Sequence, residues 1–122
     1  MLEYGEHCKK QGLNLLTGPG NDIVSTTNLT AAGANIILFT TGRGTPLGAS
    51  VPTIKVASNS RLAKRKSNWI DFNAGELIKS NDFENMTEEI FKLLIDIASG
   101  RQTKNERNGY REISIFKDGV IM

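Results

Sequence analysis

Four consecutive apolar residues, Ile36-Ile37-Leu38-Phe39, run straight into the stretch Thr40-Thr41-Gly42-Arg43-Gly44-Thr45-Pro46-Leu47-Gly48. An unbroken apolar run of this length suits a strand covered on both faces, as in a parallel sheet. The glycine- and proline-rich stretch behind it continues neither strand nor helix and must leave as an irregular loop. That strand and loop predict an α/β domain, in which ligands sit outside the carboxyl ends of the strands.

Period and punctuation predict the other elements. Residues 1–10 read as a short helix stopped by Gly12. Leu13, Leu15 and Leu16 read as a short buried strand, ended by the turn formers Gly18-Pro19-Gly20-Asn21-Asp22. Residues 24–34 read as a small helix that Asp22 or Ser25 is placed to cap, with Gly33 near its end. Residues 53–57 alternate in part and read as a third strand, 59–66 as a short basic helix or turn, and 69–72 as a fourth strand ending at Asn73-Ala74-Gly75. The clearest helix carries Ile90, Phe91, Leu94, Ile97 and Ala98 on one core-facing side. Asn85 and Glu88 have capping-box spacing at its start, and Gly100 ends it. Residues 101–109 read as an exposed polar loop, and 112–122 as a strand, a tight turn at Lys117-Asp118-Gly119 and a final short strand. The expected fold is therefore α/β: a layered, mostly parallel sheet flanked by helices, Rossmann-like, with a short C-terminal strand pair. The loops at 18–22 and 41–48 both follow expected strands and are expected to open onto one edge.

A length of 122 residues suffices for a single domain. Apolar residues at 39% and charged residues at 23% exclude a disordered polyelectrolyte. A net charge of +2 lacks the dense basic stripe of a nucleic-acid binder. The 36–39 run is far short of the roughly 20 residues that a membrane helix needs. The start Met1-Leu2-Glu3-Tyr4-Gly5-Glu6-His7 has neither the basic opening nor the apolar stretch of a signal peptide. One cysteine, Cys8, excludes a disulfide framework, and one His with one Cys excludes a self-contained zinc site of the usual kind. A cytoplasmic domain without nucleic-acid or membrane partners is expected.

Gly18-x-Gly20 has the opening of a dinucleotide fingerprint, but position 23 is Ile where the third glycine belongs. The second strand ends in Thr40 and Thr41, with no carboxylate for a ribose. Gly42-Arg43-Gly44 lacks the Gly-Lys-Ser/Thr ending of a phosphate-binding loop. Both loops do offer backbone N–H groups that approach a small anion closely. Arg43 adds a planar fork shaped for a carboxylate, and Thr40, Thr41 and Thr45 surround it with hydroxyls. The alternative is that these are tight turns and Arg43 is a solvated surface residue. Asp22 is read either as a helix cap or as a metal ligand or general base. His7 and Cys8 have no partner constellation beside them, and the basic run 61–66 reads as a solvated helix face or a contact for an acidic partner.

Four blocks in order are more specific than their composition. They are Gly18-Pro19-Gly20-Asn21-Asp22-Ile23-Val24-Ser25-Thr26-Thr27, Ala32-Gly33-Ala34-Asn35-Ile36-Ile37-Leu38-Phe39-Thr40-Thr41-Gly42-Arg43-Gly44-Thr45-Pro46, Val51-Pro52-Thr53-Ile54-Lys55 and Asn68-Trp69-Ile70-Asp71-Phe72-Asn73-Ala74-Gly75. Together they resemble the C-terminal region of the altronate dehydratase and galactarate dehydratase family, down to Asn108-Gly109-Tyr110-Arg111-Glu112. The last two blocks resemble the altronate branch more closely.

The resemblance implies a metal-dependent hydro-lyase of bacterial hexuronate breakdown, with Fe²⁺ as the divalent metal. Such an enzyme dehydrates D-altronate to 2-keto-3-deoxy-gluconate; galactarate or another sugar acid is the alternative substrate. It also implies N-terminal and central domains as partners, because enzymes of this kind are several times longer, and leaves a homo-oligomer open. Read against that chemistry, Gly18, Gly20, Asn21, Thr40, Thr41, Gly42, Arg43, Gly44 and Thr45 are candidates to bind the sugar acid, and Asp22 is the candidate catalytic residue. No residue is assigned to the metal. A binding or assembly module without chemistry of its own, and a nucleotide-binding module, are the alternatives from other classes.

Overall fold

The computed structural model describes residues 1–115. In chain order it forms α1 (Asp22–Ala31), β1 (Ile37–Thr41), β2 (Thr53–Ala57), α2 (Ser60–Arg65), β3 (Phe72–Asn73), a 3₁₀ turn (Ala74–Glu76), α3 (Leu77–Ser80), α4 (Phe83–Ala98) and α5 (Lys104–Arg107). The three strands make one parallel sheet in the order β1-β2-β3. Ile37 pairs with Thr53 through to Thr41 with Ala57, and Val56 and Ala57 pair with Phe72 and Asn73.

Burial follows from that order. All five residues of the central strand β2 are buried, whereas β1 is an edge strand with Leu38 47% exposed. The strand covered on both faces is thus β2, not the apolar run that suggested it. Strand alternation sends Ile54 and Val56 to one face. There they pack with Ile97, Ile90, Leu93 and Leu94 of α4, and with Ile36, Phe72 and Ala74. On the other face Ala57 packs with Leu62 and Ala63 of α2 and with Ile70. The α4 residues in contact recur at helical spacing; Phe91, expected among them, lies off that stripe and is 62% exposed.

Helix ends obey local chemistry. Asn21, not Asp22 or Ser25, caps α1, its Oδ1 accepting from the N–H groups of Ile23 and Val24. Gly33 adopts φ of +109° just past the helix, and the N–H of Ala34 donates to Leu29 O, closing a reversed C-terminal turn. Asp82, one turn before the expected Asn85, caps α4 by accepting from Asn85 N. Gly100 closes α4 in the same manner as Gly33 closes α1.

Five expectations change. Residues 1–10 form no helix; Gly5 sits at φ of +82° and apolar side chains are too sparse for an amphipathic face. Residues 13–16 make a single parallel bridge, Leu2 to Leu16, with Leu13 94% exposed. The first twenty residues are instead tied to α1 by buried Asn28, which accepts from Gly5 N and donates to Thr17 O. The 101–109 stretch contains α5, started by a full capping box of Thr103 and Glu106. The connection between β1 and β2 carries no helix, so the layering of dinucleotide-binding folds is not reproduced; Gly42, Gly44, Pro46, Gly48 and Pro52 forbid a crossover helix there. Residues 112–115 are not a strand, and the rest of the expected C-terminal pair lies outside the described residues. Among the described residues no helix is long and apolar enough to cross a membrane.

Candidate functional site

Each strand hands its carboxyl end to an asparagine or glycine that fastens it to the next. Asn59, following β2, accepts from Leu62 N to cap α2 and donates from Nδ2 to Gly42 O, 3.1 Å away, at the exit of β1. Asn73 of β3 donates to Ser60 Oγ and Glu76 Oε1 and accepts from Gly75 N. Gly75 lies so close to α2 that a Cβ there would meet Ser60 N at 2.3 Å. Gly44 turns the β1 loop at φ of +86°, and its N–H donates to Thr41 Oγ1. These bonds hold the carboxyl edge of the sheet in one arrangement.

On that edge lies a cleft of about 420 Å³ lined by Gly42, Arg43, Asn59, Leu62, Arg61, Arg65 and Lys66. Its charged lining is entirely cationic. Among the described residues the one ion pair joins Arg101 to Asp96, so no ion pair neutralises Arg43, Arg61, Arg65 or Lys66. Lys66 Nζ rests 3.8 Å from the centroid of the Trp69 ring. A carboxylate entering here meets guanidinium forks already held near one another by α2 and the β1 loop.

A second cleft, about 260 Å³, opens between the first turns of α1 and the free side of β1. Gly20, Asp22, Ser25, Thr26, Phe39 and Thr40 line it. The structure therefore divides the candidate residues. Gly42 and Arg43 line the cationic cleft; Gly20, Asp22 and Thr40 line the second. Asn21 is engaged in capping and the Thr41 hydroxyl in holding Gly44. Gly18 sits against the side chain of Asn28, and neither it nor Thr45 lines these two clefts.

One residue with chemical potential escaped the sequence reading. Lys55, at the centre of β2, is 0% exposed, and its Nζ has no hydrogen-bond partner. The ammonium lies 3.5 Å from the centroid of the Phe39 ring. Burial pushes the amine down to about 8, against the opposing pull of Asp22, Glu112 and Asp71. The signal was present as a lone charge inside Thr-Ile-Lys-Val-Ala, a run otherwise fit for a core strand.

The described residues do not fit a metal site. No three His, Cys, Asp or Glu side chains among them converge. His7 is exposed, with Nδ1 2.9 Å from Cys8 O. Asp71 is occupied: it accepts from Lys55 N at 2.8 Å and from Lys104 N at 2.9 Å.

A parallel sheet flanked by helices, with a cleft of cationic lining at its carboxyl edge, defines an α/β domain. The chain belongs to the family described as D-galactarate/Altronate dehydratase, C-terminal, which it matches over residues 1–121. It is 52% identical to altronate dehydratase of Escherichia coli strain K12 over 122 residues, covering 100% of this chain and 25% of that protein. It is 48% identical over 123 residues to altronate dehydratase of Bacillus subtilis strain 168, with the same coverage. Galactarate dehydratase (L-threo-forming) of Escherichia coli strain K12 is 36% identical over 125 residues, covering 99% of this chain and 24% of that protein. The chain thus spans about a quarter of the length of these relatives.

Proposed function

We propose that this chain is the sugar-acid-binding C-terminal domain of a hydro-lyase that dehydrates D-altronate to 2-keto-3-deoxy-gluconate. The observation that carries the reading is the cationic cleft at the carboxyl ends of β1 and β2. Removing water beside a carboxylate builds negative charge on the carboxylate oxygens as the neighbouring C–H bond breaks. Donors aimed at those oxygens lower the barrier. Arg43 holds the carboxylate as a fork, and Arg61, Arg65 and Lys66 supply further positive potential. In this reading Fe²⁺, expected from the resemblance, takes its ligands from outside the described residues, so turnover needs the N-terminal and central domains. The setting proposed is the bacterial cytoplasm.

An amide NMR titration of this chain tests the reading. D-altronate is compared with galactarate, with NAD and with D-altritol, which keeps the hydroxyls and lacks the carboxylate. Altronate is expected to shift residues 42–43 and 59–66, and Arg43→Ala to weaken binding at least about tenfold. Equal shifts with altritol, or wild-type affinity in Arg43→Ala, would refute the assignment of the cleft. A stronger response to galactarate would move the substrate to the aldarate branch.

A further inference from the structure

Lys55 has no role in the cationic cleft, yet its placement calls for one. Lysine is almost never fully buried without a partner, because an ammonium out of water is strongly disfavoured. The Phe39 ring, its register partner on β1, recovers part of that energy through its π face. Two of the nearby carboxylates are committed elsewhere. Asp71 is held by two backbone N–H groups, and Glu112 Oε2 accepts from Gly48 N at 2.8 Å. The third, Asp22, lines the cleft between α1 and β1, and so does Phe39. The ring that covers the amine is therefore also a wall of that cleft. The first turns of α1 line the same space, and a ten-residue helix directs its positive end there.

We infer that the α1–β1 cleft is a second anion site, for a small hydroxy-carboxylate, with Lys55 as its buried cation. Rotation of Phe39 about its side-chain bonds opens Nζ to the cleft. The ligand carboxylate then provides the partner that Nζ lacks, while Asp22, Ser25 and Thr40 face the ligand hydroxyls. The inference goes beyond the Arg43 cleft and does not depend on it.

The test is a titration of the whole chain with D-altronate, read at the Lys55 side-chain NMR signals and at the backbone amides. Bound carboxylate is expected to raise the Lys55 midpoint from about 8 toward its ordinary 10.5. Amides of residues 20–26 and 39–40 are expected to shift. Lys55→Met should weaken binding at this cleft roughly ten- to a hundredfold, as loss of a charged hydrogen bond does. Arg43→Ala should leave these signals in place. An unchanged Lys55 midpoint in the wild-type chain at saturating altronate would overturn the inference, with no variant required. Shifts confined to residues 42–43 and 59–66 would also overturn it while leaving the Arg43 assignment standing. Absence of binding at either cleft would overturn both.

Discussion

Replacing Lys55 with Met should stabilise this fold at pH 7, and the advantage should shrink as pH rises. The buried amine releases its proton near 8 when folded, against 10.5 for an ordinary lysine. Between those values the unfolded chain binds more protons than the folded one, so wild-type stability climbs with pH. The penalty is fully present below 8 and gone above 10.5. A change from 10.5 to about 8 corresponds to roughly 3 kcal/mol. The Phe39 contact returns about 1–2 kcal/mol of that, and Met has a similar shape and fills the space without a charge. The net gain for Lys55→Met at pH 7 is therefore about 1–2 kcal/mol. Urea unfolding of both chains at a series of pH values measures it. The stability difference should move in favour of the wild type by roughly 2 kcal/mol from pH 7 to pH 10. Parallel curves would mean that the amine is hydrated or paired in solution and that burial imposes no penalty on its charge.

Three further substitutions probe the frame around the clefts. Gly75→Ala places a Cβ at 2.3 Å from Ser60 N and 2.5 Å from Asn59 Cα, backbone atoms that cannot turn aside; about 2–3 kcal/mol should be lost in urea unfolding. Asp71→Ala leaves the N–H groups of Lys55 and Lys104 without their acceptor and should lower stability by about 3 kcal/mol, seen as a fall in Tm. Ile97→Ala opens a cavity between α4 and β2 and should cost about 2–5 kcal/mol, with the urea m-value unchanged if the transition stays two-state.

Legibility in the sequence tracks how local the physics is. The two glycine-closed helices could be read because a positive φ after a helix needs only neighbouring residues. The α5 capping box was equally local in Thr103 and Glu106, but its polar composition hid it. Single residues decided several boundaries: Asn21 outcompetes Asp22 as the cap because its side chain reaches two N–H groups from the position before the helix. The candidate site was half legible. Gly42 and Arg43 were read correctly as leaving a strand, but Arg61, Arg65 and Lys66 join them only because Asn59 ties α2 to the β1 exit.

By itself the sequence determined the α/β class, the parallel strand–loop unit and the family, since each rests on order along the chain. The tertiary structure alone decided which strand is central, which loops share a cleft and which charge is buried. An apolar run reads the same at the edge of a sheet as at its centre, so Ile37-Leu38-Phe39 could not reveal that β2 would lie inside. Lys55 shows the same limit from the other side. Only the pairing of β2 between β1 and β3, with Phe39 laid across the amine, turns an ordinary lysine into an unpartnered cation of the core.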